Sequence, residues 1–143
     1  MILDFIENKE LKNKEQKIEV VDVDDDKIEA ILKSEINDYI ESNNLSEFTD
    51  NIKKYVSSDV IGSKFIYYFI LYILENDNID VCLRLINNLY GKKILNNKSI
   101  KNGITNFYED YDDYKWDYRN IDQVLRSFVV YLVENKIIDN DKF

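Results

Sequence analysis

The chain has 143 residues, 45% hydrophobic and 33% charged, with a formal charge of −9, no histidine, no proline, three glycines and one cysteine. Its length suits a single domain with one core, and the charge disfavours phosphate backbones and anionic membranes while favouring a basic protein surface. The lone Cys82 rules out an internal disulfide framework and points to an intracellular, reducing compartment, and the scarcity of proline and glycine argues for an all-α fold.

Residues 1–25 read as an extension or linker, and residues 26–143 as the helical domain. Lys9 to Lys17 alternates charges without an apolar stripe, and Met1 to Lys9 lacks the apolar stretch of a signal peptide. Asp22, Asp24 and Asp26 have the opening spacing of a calcium loop. Lys27 and Lys33, however, stand where that loop needs glycine and a bidentate glutamate, so no calcium site is expected. Asp26 is the expected N-cap of the first helix.

Ile28, Ile31, Leu32, Ile36, Tyr39 and Ile40 form a helical stripe that ends near Ser42-Asn43-Asn44. Leu45, Phe48, Ile52, Tyr55 and Val56 form a second, broken by Ser57-Ser58-Asp59. The third helix is expected from about Gly62 to Glu75. Its stretch Phe65–Leu74 is apolar or aromatic throughout, too short to cross a bilayer and suited to burial on most faces. Ile79, Cys82, Leu83, Ile86, Leu89 and Tyr90 mark the fourth helix, with Gly91 at its expected C-terminal glycine position. Ser99 is the expected cap of a fifth helix carrying Ile100, Ile104, Phe107 and Tyr108. The last helix carries Ile121, Val124, Leu125, Phe128, Val129, Leu132 and Val133 and closes at Asn135. Six such helices pair as three antiparallel hairpins, and stacked hairpins align their loops along one edge.

Between the last two helices lies Tyr108-Glu109-Asp110-Tyr111-Asp112-Asp113-Tyr114-Lys115-Trp116-Asp117-Tyr118. Five carboxylates alternate there with four tyrosines and the only tryptophan. Rings in such a run anchor an interface while the acids select a basic partner; otherwise the run is a solvated loop with its rings tucked onto the core. Without histidine, with one cysteine and with no glycine-rich phosphate cradle, neither an enzyme nor a metal or cofactor site is expected. Asp113 and Asp117 as a catalytic carboxylate pair lack any sign of a pocket. Cys82, on an apolar stripe, reads as core.

From about Lys27 to Asp139 the chain resembles the MA3 domain, the helical-hairpin module of programmed cell death protein 4 and of the initiation factor 4G scaffold. Ile31-Leu32 through Leu45-Ser46-Glu47 is similar to the opening hairpin, and Tyr72-Ile73-Leu74-Glu75 to the end of the third helix. Lys101-Asn102-Gly103 is similar to a small element of the fifth helix. The strongest piece is Asp113-Tyr114-Lys115-Trp116-Asp117, followed by Val124-Leu125-Arg126-Ser127-Phe128-Val129 and Lys136-Ile137-Ile138. The resemblance implies a HEAT-like all-α domain of six to seven helices. It also implies a partner, the N-terminal RecA-like domain of a DEAD-box RNA helicase of the initiation factor 4A type, and hence a role in translation, inhibitory as in programmed cell death protein 4.

By motif position the implied contact acids are Glu75, Asp113 and Asp117, supported by Tyr114 and Asp112. Tyr114 or Trp116 would be a desolvated anchor beside the charges, with core packing the favoured role for Trp116, which holds the apolar position of the loop motif. Arg119 stands where the family carries proline, which implies either a looser loop or an internal pairing of Arg119 with Asp113 or Asp117. The alternatives are an MA3 domain of an initiation scaffold or of a splicing or nucleolar factor, a survival-type helical fold holding a peptide in a groove, and an inert helical spacer. The survival-type fold's asparagine-tryptophan-glycine-arginine signature is absent.

Overall fold

The computed structural model describes residues 24–139 as seven α-helices with no strand among them. The expected extension lies, apart from Asp24 and Asp25, outside the described residues, as do the readings made on Met1 to Lys17 and Asp22. The helices are α1 (Asp25–Ser42), α2 (Leu45–Lys53), α3 (Asp59–Asn76), α4 (Ile79–Gly91), α5 (Asn97–Glu109), α6 (Tyr111–Tyr114) and α7 (Ile121–Glu134).

The amphipathic stripes place the helices in two layers. α1, α3 and α5 lie side by side, with α3 packed most extensively on α5 and next on α1, while α2, α4 and α7 form the second row. Ile28, Leu32, Ile36 and Tyr39 of α1 are buried as their spacing requires, while Ile40, at the edge of the stripe, is 48% exposed. α3 sits between neighbours on both sides and over the second layer, so it buries Phe65, Ile66, Phe69, Ile70, Leu71, Tyr72, Ile73 and Leu74 in near-continuous sequence. No helix among the described residues is long and apolar enough to cross a membrane.

Helix ends differ from expectation by a residue or more. α1 is capped by Asp24 rather than Asp26: the Asp24 carboxylate accepts from the Lys27 amide at 2.9 Å, and Asp25 and Asp26 fall in the first turn, where negative charge suits the helix dipole. α5 is capped by Asn96, and Ser99 is the reciprocal partner three residues in: Asn96 Oδ1 accepts from the Ser99 amide at 2.8 Å, and Ser99 Oγ accepts from the Asn96 amide at 3.2 Å. Gly91 is the last residue of α4, without a positive φ, and the left-handed position is Lys93 at φ 64°. The Ile94 amide then closes on the Leu89 carbonyl at 2.9 Å. Left-handed Asn43 and Asp77 end α1 and α3 in the same manner.

Candidate functional site

The acidic run folds as a turn of helix. The Lys115 amide donates to the Tyr111 carbonyl and the Tyr118 amide to that of Tyr114, so helical spacing persists from residue 111 to 118. Tyr111, Tyr114 and Tyr118 therefore share one face, at intervals of three and four residues, and all three are half-buried against the core. Asp112, Asp113, Trp116 and Asp117 face outward and are exposed.

Each tyrosine has a distinct anchor. The Tyr114 ring stacks on Phe107 with centroids 5.0 Å apart and planes 6° from parallel. Its hydroxyl lies 2.9 Å from that of Tyr67 on α3, which donates its own proton to Asp110 Oδ2 at 2.6 Å. A phenol has one proton, so Tyr114 is the donor in that pair. Burial, followed by the bonds to Asp110 and Tyr114, raises the Tyr67 phenol far above its ordinary range, which keeps it protonated. Tyr111 donates to Asp122 Oδ1 of α7 at 2.6 Å. Tyr118 reaches back to Glu75 Oε2, at the C-terminal end of α3, through a long hydrogen bond of 3.4 Å.

Tyr118 thus joins two of the anticipated contact acids. Its hydroxyl touches Glu75, and its chain neighbour is Asp117, so the end of α3 and the segment before α7 meet on one surface. Glu75 is not free: Lys33 of α1 holds its other oxygen at 3.4 Å while also pairing with Glu29 at 3.3 Å. Burial alone would lower the Lys33 pKa, but bonding and attraction to Glu29 and Glu75 raise it, so Lys33 stays cationic. Asp112 pairs with Lys115 at 3.1 Å. Asp113 and Asp117 make no ion pair among the described residues, and Arg119 pairs with neither. Arg119 stands outside any helix, and α7 begins at Ile121.

One aromatic assignment is reversed. Trp116 is 81% exposed rather than packed in the core, while Tyr114 is half-buried with its ring on Phe107. The cause is the helical turn, which aims residues 111, 114 and 118 inward and leaves position 116 on the opposite side. The 3, 4 spacing of the tyrosines was a legible signal for this. Burial and then Asp25 and Glu29 of α1, with Tyr114 and Asp26, push the Tyr68 phenol up to about 12, and Asp25 and Glu29 are themselves paired, Asp25 with Lys64 at 2.9 Å and Glu29 with Lys33 at 3.3 Å.

An all-helical stack of paired helices, presenting outward carboxylates on a segment pinned by its rings, defines a module built to dock a protein. A family model described as MA3 domain matches residues 25–139, and the chain belongs to that family. MA3 domains are protein–protein interaction modules and not a known enzyme family. The groove-type survival fold is thereby set aside. No curated protein matches the chain significantly.

Proposed function

We propose that this chain binds the N-terminal RecA-like domain of a DEAD-box RNA helicase of the initiation factor 4A type and thereby restrains translation initiation. A cytoplasmic or nuclear location goes with that reading. The observation that carries it is the hydrogen bond by which Tyr118 links Glu75 to the segment bearing Asp113 and Asp117, which make no ion pair among the described residues. Such a surface suits arginine or lysine side chains on a partner, whose encounter it also steers. The helicase works by closing two RecA-like domains around ATP and RNA. A module held on one of them favours the open arrangement.

Close charge pairs at interfaces couple by about 1.5–7 kcal/mol, so the Asp113→Asn/Asp117→Asn variant is expected to lose at least tenfold in affinity for the isolated helicase domain. Capture of that domain by wild-type and variant chains checks it. Undiminished capture by the folded variant sinks the site assignment, and no capture by the wild-type chain sinks the partner. RNA-dependent ATP hydrolysis by the intact helicase reads the sign: inhibition fits the proposal, and stimulation indicates a scaffold-type module.

Lys33 gives a second, opposite expectation. It occupies Glu75 in the unbound chain and competes with any incoming cation. An exposed ion pair of this kind is worth up to about 1 kcal/mol, so Lys33→Gln is expected to raise affinity by as much as about fivefold while changing stability little. Titration calorimetry beside thermal melts checks both halves. A fall in affinity would show that Glu75 does not receive a partner's cation.

A further inference from the structure

Trp116 is the largest apolar side chain left outside the core, at 81% exposure, and nothing in the fold explains it. The turn carrying it is held on the opposite side by Tyr111, Tyr114 and Tyr118. One side of the indole is approached by Lys115 Nζ, 5.2 Å from the ring centroid, and that ammonium is itself held by Asp112. With four-fifths of the residue in water, the rest of the ring stays open to a partner. Asp113 lies about one helical turn before Trp116, Asp117 directly follows it in the chain, and neither carboxylate makes an ion pair among the described residues.

We infer that Trp116 is the central anchor of the partner interface and receives an arginine of a basic protein surface, whose guanidinium lies on the open indole face and pairs with Asp113 or Asp117. Arginine fits better than lysine. The guanidinium is planar, stacks on aromatic rings, is weakly hydrated, and presents forked donors to a carboxylate from the same side chain. An ammonium is a compact, strongly hydrated charge, and the site already supplies one in Lys115. The acids alone would accept either cation, so the tryptophan is what makes the surface selective. Tryptophan and arginine are also the residue types most enriched among the few that dominate binding energy.

This deepens the reading given above, and the first arm of its test rests on that reading. Since Trp116 is the chain's only tryptophan, the 15N-labelled full chain has a single indole N–H signal, visible against any unlabelled partner. Adding the unlabelled helicase domain is expected to shift that signal. Trp116→Ala is expected to weaken binding about thirtyfold, as loss of a central anchor does, with an unchanged melting temperature because the side chain is exposed. Binding by Trp116→Ala within twofold of wild type overturns the inference while leaving the helicase reading intact.

Should the wild-type chain not bind that domain, the helicase reading fails and a second arm decides the inference. An octa-arginine peptide is expected to shift the indole signal at several-fold lower concentration than octa-lysine, and the Asp113→Asn/Asp117→Asn variant is expected to abolish the difference. Equal responses to the two peptides, or no response to either, overturn it.

Discussion

Gly103→Ala is expected to lower stability by about 1–3 kcal/mol, although alanine is the better helix former. A Cβ built at Gly103 would fall 2.5 Å from the Ile66 Cβ and 2.6 Å from the Ser63 carbonyl oxygen. Neither atom can swing aside, since one is the first side-chain carbon of α3 and the other is its backbone. Relief requires α3 and α5 to separate, along the most extensive helix contact in the domain. The gain in helix propensity, about 1 kcal/mol, offsets only part of that strain. Gly91→Ala is the control with the opposite sign: beyond its chain neighbours and the adjoining helix backbone, nothing lies within 4 Å of its Cβ position and its φ is not positive, so about 0.4–1 kcal/mol of stabilisation is expected. Urea titrations of the two variants check the pair. Destabilisation by Gly91→Ala would restore that residue to the left-handed capping role that the sequence pattern assigned it.

That contrast shows what was legible in the chain and what was not. Apolar periodicity over ten or more residues identified every long helix, because burial of a stripe depends on many side chains at once. Termini were less legible. Asp24, Asp25 and Asp26 offer equivalent caps by type, and Asn96 and Ser99 exchange reciprocal bonds, so only geometry separates the cap from its partner. Lys93 adopts φ 64° beside a glycine that does not, a choice made by the Ile94–Leu89 closure rather than by intrinsic preference. At the candidate site, residue type and motif spacing single out the acids. The pairing of Glu75 with Lys33 was not, since it joins residues 42 positions apart on separate helices. Motif position misplaced Trp116, because it assigned an apolar role without asking which face of the turn the neighbouring rings would claim.

Phe107→Ala is expected to be the most damaging of the substitutions considered, at about 3–5 kcal/mol, a large share of the stability of a domain this size. Phe107 is fully buried, packs against Tyr67 with centroids 5.1 Å apart, and is the platform on which Tyr114 stacks. Removing it opens a cavity beneath the segment that carries Asp113, Trp116 and Asp117, so loss of stability and loss of partner affinity should arrive together. The hydroxyl contact separates these effects from one another. Tyr114→Phe keeps the stack and removes only the bond to Tyr67, at an expected cost of about 0.5–1.5 kcal/mol, while the Tyr67–Asp110 bond remains. Hydrogen exchange of the amides from 111 to 118 provides the local readout. In the fraction of Phe107→Ala molecules that stays folded, those amides are expected to lose protection more than the amides of α3. In Tyr114→Phe they are expected to lose little. If Phe107→Ala instead lowers protection equally throughout, the aromatic stack serves the core alone, and the order of the acidic segment must come from the outer anchors, Tyr111–Asp122 and Tyr118–Glu75.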